Sequence, residues 1–458
     1  MSKILITGGG LVGLLAAMFL NKRGHEVDVF ERHPDIRKGV IQRNRSINLT
    51  LCERGLKVLA SLGLDQEVYD LAIPVYGRLI HSPAGELTYQ PYGNNREAIY
   101  SISRADLNIA LLNFAEQHFD LNLHFNNRCL GLNLSTLTAQ FENTADKSMT
   151  SESADIFIGA DGAHSTIRYQ LQKLNRFNFS QQYWENGYLE LNIPVTREGN
   201  WVLEKNVIHI WPRGSYMLIG FPNRDGSFTC ALHIPFEGEL SHEAIRSETD
   251  LVTFFTESFP DVVEHFPNLG ADFFSRKLNP MITVRCDPWS FQDRVLLIGD
   301  AAHAIYPSYG QGANAGFEDC AFLDQCLEKH GDNWLAVFRE YEKTRKPNTD
   351  AIANLCIEHF IEIRDLVGKP EFLLRKQIER KLNQLASDRY ASLYAMITFS
   401  CMPYTEALRI DREQRALVDR ILTLEGIQDR LDSPEFERLI GDWLLGDKRV
   451  QAALSGIG

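Results

Sequence analysis

Three glycines near the N-terminus have the spacing of a dinucleotide-binding loop. Gly8, Gly10 and Gly13 form the pattern G-x-G-x-x-G directly after an apolar run, at the start of a predicted helix. The first glycine permits a tight turn, the second lets backbone N–H groups approach a pyrophosphate, and the third allows close helix–strand packing. Glu31 ends the next predicted strand, about 20 residues further on, where a carboxylate accepts hydrogen bonds from the unphosphorylated ribose of FAD or NAD. This pattern predicts a dinucleotide site rather than an ordinary glycine-rich turn.

Two further motifs follow apolar strands, at the edge where open α/β sheets bind ligands. Asp161 and Gly162 follow the run DIFIGA, and Asp300 follows RVLLIG. An Asp-Gly turn alone is commonplace, but Asp300 could accept hydrogen bonds from a ribityl chain. Gly310 and Gly312 then open a predicted helix, whose bare N–H groups would stabilise negative charge on a reduced isoalloxazine. Together the motifs predict a flavin site.

Length, charge and cysteine usage exclude several other classes of protein. The chain has 458 residues, enough for two or three domains, and a net charge of −13. That charge argues against a nucleic-acid partner and against an anionic membrane surface. The eight cysteines include no C-x-x-C pair, so we expect buried free thiols and neither a disulfide scaffold nor a metal site. Without a signal peptide or a membrane-spanning run, the protein is predicted to be cytoplasmic.

A polar segment beyond the second predicted strand carries a cluster of basic residues. Arg37, Lys38, Arg43 and Arg45 lie within it. Beside a pyrophosphate site they could neutralise phosphate charge, or they could simply belong to a solvated loop. Both interpretations stay open from the sequence.

The order of the three motifs resembles that of the single-component (class A) FAD-dependent aromatic hydroxylases. Within that class the chain is similar to the kynurenine 3-monooxygenase family up to about Tyr404. HIWPR, SFTC and LYAMITFS are narrow to that family, whereas the nucleotide motifs are shared by the whole class. The stretches that carry the resemblance are RSINL, RLIHS, PYG, SISRADLN, RFNFSQQY, GYLELNIP, HIWPR, SFTCALHIPFE, GDAAHAIYPSYGQGANAGFEDC, FIEIR and LYAMITFS.

The resemblance implies a tightly bound FAD, NADPH as a transient reductant and O2 as a co-substrate. The family hydroxylates L-kynurenine to 3-hydroxykynurenine through a C4a-hydroperoxyflavin, and the flavin carries the difficult chemistry. Only one G-x-G-x-x-G occurs, so NADPH would bind elsewhere. The implied cofactor-binding residues are Gly8, Gly10, Gly13, Glu31, Arg104, Asp161, Asp300, Gly310, Gly312, Ala313 and Asn314.

The resemblance also implies a pocket for an aromatic amino acid. Arg78 matches the family's carboxylate-binding arginine, Tyr92 a tyrosine that binds the same carboxylate, and Tyr394 a tyrosine that closes the pocket. Phe228 and Pro307 are weaker matches to residues that line the ring site. Without the resemblance, Arg78 would be interpreted as a solvated strand residue and the two tyrosines as packing residues.

The sequence departs from the family pattern at three places, and the first two leave the exact substrate open. His359 replaces an asparagine and could titrate near neutrality, and Ala313 replaces a methionine beside the flavin. The membrane-anchoring tail of mitochondrial relatives is replaced by a charged, helical segment at 406–458. His303 and Cys320 are predicted to be satisfied core residues.

Alternative functions are the same chemistry on another anthraniloyl-type or phenolic substrate, a flavin-dependent reductase or dehydrogenase, and a nucleotide-sensing module.

The order and type of the predicted strands and helices indicate how these residues are positioned. We predict an α/β fold with a discontinuous Rossmann-like FAD-binding domain of the glutathione-reductase type at 1–76, 99–175 and 281–330. Alternating strands with Gly turns predict an antiparallel-sheet substrate domain at 77–98 and 176–280. A helical C-terminal domain at 331–458, punctuated by Pro347, Pro370 and Pro403, would cap the active site.

Overall fold

The computed structural model describes residues 1–39, 48–93, 97–362, 370–386, 389–434, 436–438 and 440. The strands are β1 (Lys3–Thr7), β2 (Glu26–Phe30), β3 (Asn48–Leu51), β4 (Ile73–Val75), β5 (Gly77–His81), β6 (Leu87–Pro91), β7 (Ile99–Ser103), β8 (Leu121–His124), β9 (Asn127–Asn133), β10 (Thr138–Asn143), β11 (Met149–Ser153), β12 (Ile156–Gly159), β13 (Asn178–Ile193), β14 (Val207–Arg213), β15 (Tyr216–Pro222), β16 (Phe228–Pro235), β17 (Asn279–Asp287), β18 (Ser290–Phe291) and β19 (Val295–Leu297).

The α-helices are α1 (Leu11–Lys22), α2 (Glu53–Ser61), α3 (Asp65–Leu71), α4 (Arg104–His118), α5 (Thr166–Leu171), α6 (Glu248–Ser258), α7 (Leu269–Ser275), α8 (Asp300–His303), α9 (Gly312–His330), α10 (Trp334–Ile361), α11 (Pro370–Leu385), α12 (Leu393–Thr398), α13 (Tyr404–Leu422) and α14 (Ile427–Arg430). Short 3-10 helices occur at Val263–His265 and Pro307–Tyr309.

The first sheet brings the three predicted motifs side by side. Its six strands have the order β18-β19-β12-β1-β2-β8, and β1 pairs in parallel with both β2 and β12. β19 pairs in parallel with β12, so β19, β12 and β1 are neighbours. Each of these three strands leads into one motif. Because carboxyl ends of parallel strands lie at one edge, the three loops meet there, as the sequence predicts.

The second sheet has seven strands and is mixed rather than purely antiparallel. Its order is β17-β13-β16-β15-β14-β5-β6. The β5–β6 hairpin forms as predicted, but β5 pairs in parallel with β14, with Arg78 opposite Ile208. The hairpin comes from a distant part of the chain and joins the sheet at its edge. Alternation along a strand predicts which residues share a face, but it does not predict the direction of the neighbouring strand.

One face of the second sheet packs against helices, and the opposite face turns towards the C-terminal helical region. Leu189, Trp211 and Phe228 form a buried cluster with side chains of α6 and α7. Two small three-stranded sheets, β11-β10-β9 and β3-β7-β4, complete the strands. In the helical region α10 continues through Pro347, whereas Pro370 begins α11 and Pro403 precedes α13. The predicted break at Pro347 is therefore wrong, because buried side chains on both sides of that proline hold the helix together.

Two bulk predictions can be compared with the described residues. All eight cysteines are free; six are buried, Cys129 is half-buried and Cys401 is exposed. Among the helices that the structure describes, none has both the length and the apolar character needed to cross a membrane.

A buried arginine fastens the C-terminal helices to the rest of the chain. The Arg54 guanidinium, only 1% exposed, donates to the carbonyl of Ile397 at 2.8 Å and to that of Met402. It also pairs with Glu318 at 2.8 Å and lies 4.0 Å from the centre of the Tyr404 ring. Helix α2 is thereby tied to α9, α12 and α13.

Arg54→Met should lower the free energy of unfolding by about 3–5 kcal/mol, because it leaves buried acceptors and a carboxylate without their donor. Urea denaturation followed by tryptophan fluorescence measures this change. The matched control is Arg409→Met on α13, which removes ion pairs of a half-exposed arginine and should barely move the midpoint. Equal shifts in the two variants would contradict a stabilising role for the buried contacts.

Candidate active site

Two of the N-terminal glycines are required by the packing of the loop itself. Gly8 has a φ of +102°, and a Cβ there would lie 2.4 Å from the carbonyl oxygen of Ala160. The turn after β1 therefore packs directly on the loop after β12. A Cβ on Gly13 would lie 1.9 Å from the carbonyl oxygen of Gly8. Neither position can carry a side chain without moving backbone.

The second glycine of this motif, Gly10, leaves room for a ligand. Gly10 precedes α1, and a Cβ there would meet no protein atom within 4 Å. The helix has no side-chain cap and no acid in its first turn, so its first N–H groups are available to an anion. Glu31 directly follows β2 and accepts hydrogen bonds from the backbone N–H of Gly9 at 2.8 Å and of His33 at 2.9 Å. Each oxygen retains a lone pair for a ribose hydroxyl.

The second motif organises its own loop rather than offering a free carboxylate. Asp161 accepts hydrogen bonds from Ser165 Oγ at 2.5 Å and from the backbone N–H groups of Thr166 and Ile167. Burial raises the pKa of Asp161, and these hydrogen bonds oppose that rise. Both oxygens of Asp161 are thus used to cap α5, so its contribution to a cofactor site is indirect.

Arg168, at the end of the same motif, ties the second loop to the third. Its guanidinium donates to the carbonyl of Ala301 at 2.8 Å and to that of Ala163 at 2.5 Å. Because Arg168 is buried, these contacts fix the relative position of the two loops. The sequence motif did not identify this role.

The third motif presents a free carboxylate. Asp300 is exposed at the start of α8, and among the described residues it forms no hydrogen bond or ion pair. Behind it, the backbone N–H of Gly299 donates to Asp319 at 3.1 Å. His303 contacts the same carboxylate at 2.5 Å, and Arg345 donates to it at 2.8 Å. His303 is therefore a core residue as predicted, and Asp300 is left free to accept hydrogen bonds from a polyol.

The start of α9 forms the remaining part of the cofactor site. Gly310 has a φ of +65°, and a Cβ there would lie 2.0 Å from Thr50 Oγ1. Around Gly312 a Cβ would meet open space, and the helix has no side-chain cap. Ala313 is half-buried beside it. This uncapped N-terminus can stabilise negative charge on a ligand.

Asn314 does not face the ligand space. It is completely buried, accepts a hydrogen bond from the backbone N–H of Cys52 at 3.1 Å, and donates to the carbonyls of Thr50 and Gly310 at 2.9 Å each. The side chain therefore holds the segment between β3 and α2 against α9. Like Asp161, Asn314 stabilises the loops of the cofactor site and does not contact the ligand space itself.

The predicted basic residues differ in their availability. Arg37 pairs with both Asp35 and Glu116, so its charge is neutralised within the protein. Lys38 is largely exposed, 3.8 Å from Asp35, whereas Arg43 and Arg45 lie outside the described residues.

Arg104 is exposed at the start of α4. Its charge lies close enough to Tyr188 to oppose the rise in that residue's pKa caused by burial and by Glu190.

Four predicted substrate residues lie in one cluster with Tyr309, and we call this cluster the aromatic pocket: Arg78, Tyr92, Tyr309, His359 and Tyr394. The rings of Tyr92 and Tyr394 stack with centroids 5.0 Å apart, and those of Tyr309 and Tyr394 are 5.9 Å apart. His359 lies 4.1 Å from Tyr309, centroid to centroid. Burial raises the pKa of all three tyrosines, while the positive charge of Arg78 opposes that rise at each of them. Arg78 therefore lies among these rings.

Tyr309 is the member of the aromatic pocket that sequence reasoning missed. It directly precedes Gly310, inside the stretch PSYGQG, and the 3-10 helix that carries it joins the third motif to α9. Its position between two recognised motifs was the available signal.

His359 is neutral, contrary to the expectation that it titrates near neutrality. Burial lowers its pKa well below the ordinary value, and the charges of Arg78 and Lys376 lower it further. The residue therefore presents an uncharged imidazole to the aromatic pocket.

The two weaker substrate assignments, Phe228 and Pro307, lie elsewhere. Phe228 is completely buried on the helix-covered face of the second sheet, edge-on to His209 with centroids 5.5 Å apart. Because successive strand residues alternate between faces, it lies on the opposite face from Arg78. Pro307 is exposed at the start of the 3-10 helix that carries Tyr309. Neither belongs to the aromatic pocket.

Comparison with known proteins gives one family match and several relatives of nearly full length. The family described as "FAD binding domain" matches residues 1–354. The chain is 43% identical over 438 residues to a kynurenine 3-monooxygenase of Flavobacterium johnsoniae, covering 96% of this chain and 98% of the relative. It is 39% identical over 423 residues to that of Anopheles gambiae, covering 92% of this chain and 86% of the relative.

Solved structures share the fold at low sequence identity. A tetrameric form of 2-methyl-3-hydroxypyridine-5-carboxylic acid oxygenase superposes with a TM-score of 0.65 at 20% identity, covering 80% of this chain and 94% of that one. CtdE in complex with FAD and a substrate also gives 0.65, at 16% identity, with 93% and 100% coverage.

The family match and the relatives show that this chain is a flavoprotein monooxygenase of the single-component aromatic hydroxylase class. The uncapped starts of α1 and α9, with the free carboxylate of Asp300, fit FAD. Within that class, the chain belongs to the kynurenine 3-monooxygenase family.

Gly10→Ala and Gly13→Ala separate ligand space from loop packing. Gly10→Ala should leave the thermal midpoint of the FAD-free protein unchanged and weaken FAD binding at least about tenfold, because the methyl group enters only ligand space. Gly13→Ala should lower both the thermal midpoint and the affinity for FAD. Fluorescence titration with FAD and thermal unfolding of the FAD-free protein measure the two effects. Unchanged FAD affinity in Gly10→Ala would contradict the placement of the pyrophosphate.

Proposed function

We propose that the protein is an FAD-dependent, NADPH-consuming monooxygenase that converts L-kynurenine to 3-hydroxykynurenine with O2. The observation that carries this proposal is the aromatic pocket, in which one arginine lies among three tyrosines and a neutral histidine. Relatives named for this activity align over nearly the whole chain. When bound, FAD would supply the redox chemistry that couples the oxidation of NADPH to the activation of O2.

Arg78 is suited to bind the carboxylate of an amino acid. Its planar guanidinium can form two parallel hydrogen bonds with a carboxylate, which a lysine cannot reproduce. Tyr92 has a raised pKa because of burial, so its hydroxyl stays protonated and can donate a further hydrogen bond. Together they would fix the amino-acid head and thereby the direction of the aromatic ring.

The rings of Tyr309 and Tyr394, with the uncharged His359, provide an apolar wall for an aniline. A neutral imidazole can donate or accept one hydrogen bond without adding charge beside Arg78. The amine of kynurenine makes its own ortho carbon electron-rich, so the pocket has no need of a strong base. The protein must instead orient the ring and exclude water.

Exclusion of water is supported by rigid anchoring of α12, which carries Tyr394. Arg54 donates to the carbonyl of Ile397 on this helix, and Tyr404 donates to Gln311 at 3.0 Å. The helical region would therefore close the substrate side of the site.

We also propose the three-domain division predicted from the sequence and a cytoplasmic location for the protein.

His359 and Ala313 support a second candidate, the same chemistry on another anthraniloyl-type substrate. The test is to follow NADPH oxidation by the FAD-loaded protein with and without L-kynurenine, and to identify products by mass spectrometry. The proposal expects stimulated oxidation and stoichiometric 3-hydroxykynurenine. Oxidation that L-kynurenine does not stimulate would favour another substrate, and stimulated oxidation that yields only peroxide would favour a reductase.

Arg78→Ala should raise the Kd for L-kynurenine roughly 150-fold, since losing charge-assisted hydrogen bonds costs about 3 kcal/mol. Arg78→Lys should recover only part of this loss, and FAD affinity should stay unchanged in both. Isothermal titration measures the Kd. Arg285→Ala is the matched control: this strand arginine donates to Asn354 on the surface of α10. A Kd for Arg78→Ala equal to that of the control would contradict the carboxylate assignment.

A further inference from the structure

Two histidines in stretches that carry the family resemblance play no part in the proposed chemistry, and they meet on the helix-covered face of the second sheet. His81 lies in RLIHS at the end of β5, and His209 lies in HIWPR on β14. Asp261 follows α6 on the layer above them. Both histidines are buried, at 4% and 1% exposure.

These three residues form a continuous chain of polar contacts, which we call the Asp261–His81–His209 chain. His81 Nδ1 is 2.6 Å from Asp261 Oδ2, and His81 Nε2 is 3.0 Å from His209 Nδ1. At the far end, His209 Nε2 is 2.9 Å from the carbonyl oxygen of Glu204. All four ring nitrogens are thus engaged.

The three contacts of this chain require three protons. The Glu204 carbonyl can only accept, so His209 Nε2 must carry a proton, and a neutral His209 then accepts at Nδ1. His81 Nε2 must therefore donate. A third proton must then lie between His81 Nδ1 and Asp261. Two neutral imidazoles carry only two protons, so the chain is fully hydrogen-bonded only with one more.

The surrounding charges indicate where this extra proton resides. Burial lowers the pKa of His209 to about 4, which keeps that ring singly protonated. Burial, the largest effect, and the charge of Arg213 lower the pKa of His81 from its ordinary value, although the hydrogen bond and charge of Asp261 oppose this. Asp261 accepts a hydrogen bond from Trp211 Nε1 at 3.0 Å, and Trp211 stacks on the His81 ring at 4.1 Å. Without the extra proton, His81 Nδ1 and Asp261 Oδ2 would be two acceptors only 2.6 Å apart, so it is this geometry that favours an imidazolium on His81 facing a carboxylate.

We propose that the Asp261–His81–His209 chain holds this extra proton at neutral pH and thereby positions Arg78 for substrate binding. His81 is three residues from Arg78 on β5, and it contacts the opposite face of the sheet. Its contact with His209 links β5 to β14, which are paired in parallel near this edge of the sheet. Arg213 adds a hydrogen bond to the His81 carbonyl at 2.9 Å. The role of Arg78 in this inference rests on the proposed function.

The hydrogen bond between His81 Nδ1 and Asp261 exists only while the extra proton is bound. Its contribution to the position of β5 is therefore present at low pH and is lost as the pH rises and the proton leaves. Loss of the proton brings two acceptors face to face in a buried contact, which loosens β5.

Asp261→Asn and Asp261→Ala distinguish the extra proton from mere packing. An asparagine amide can donate to His81 Nδ1, so Asp261→Asn completes the chain with two neutral imidazoles. Asp261→Ala cannot complete it. The direct measurement is 15N NMR of histidine-labelled, FAD-loaded enzyme at pH 6.5, with His81 assigned through His81→Gln. We expect two protonated nitrogens on His81 in the unmodified protein and one in Asp261→Asn. A single protonated nitrogen in the unmodified protein overturns the proposal.

The positioning role is tested by the Kd for L-kynurenine between pH 6 and 9. We expect the Kd of the unmodified enzyme to rise about fivefold more than that of Asp261→Asn, as for one lost hydrogen bond. Asp261→Ala should bind weakly throughout. Titration of the substrate itself is common to all variants and cancels in the comparison. His242→Gln, on the same side of the sheet but outside the chain, should follow the unmodified enzyme.

Identical pH profiles for the unmodified enzyme and Asp261→Asn would overturn the positioning role. If L-kynurenine fails to bind at any pH, the proposed function fails, while the NMR proton count still decides whether the chain holds its extra proton.

Discussion

Two adjacent carboxylates on α9, Glu318 and Asp319, must be neutralised inside the protein, and much of the structure is arranged to do so. Asp319 is completely buried, and burial would raise its pKa, but the charges and hydrogen bonds of His303 and Arg345 lower it. An unpaired charge at this depth would be strongly destabilising. Each partner comes from a different element: His303 from α8, Arg345 from α10 and, for Glu318, Arg54 from α2.

This constraint has a functional consequence, because α9 also begins at the cofactor site. The carboxylates lie two turns inside the helix whose uncapped N-terminus faces ligand space. The two carboxylates bind partners on α8, α10 and α2, so these three helices pack around α9. The loop of Asp300 then lies on one side of α9, and Arg54, which binds α12, lies on the other. The cofactor side and the aromatic pocket are therefore held in register by one buried set of charges. Preorganisation of this kind is what an oxygen-transfer reaction that must exclude water requires.

The sequence predicted the parts of the fold that depend on local pattern. Glycine spacing and apolar runs identified the three loops, and the rule for parallel strands predicted that they meet. It could not separate residues that face the ligand from residues that support the loop. Asp161 and Asn314 lie in the predicted motifs, as Gly10 and Asp300 do, yet their polar atoms are used by neighbouring backbone. A motif records that a residue type is needed, but it does not record which way the side chain points.

Other differences arise from tertiary context. Alternation along β16 predicts a half-buried strand, but it cannot predict that Phe228 faces the helices instead of Arg78. The partners of Arg37 are two acids, one of them on α4, far away in sequence, so its apparent availability for phosphate was not a local property. His359 has a depressed pKa because its neighbours are buried rings and two cations, which are brought together only by folding. Resemblance to the family supplied Arg78, Tyr92 and Tyr394, and packing then added Tyr309.

A crystal structure of the protein with FAD and L-kynurenine both bound would test this coupling of the two sides of the site. We expect the isoalloxazine against the N-terminus of α9, the substrate carboxylate paired with Arg78, and the aniline ring between the flavin and the tyrosines of the aromatic pocket. A substrate bound away from Arg78, or a flavin separated from α9 by closed protein, would contradict the claim that one buried charge set holds both halves of a single site.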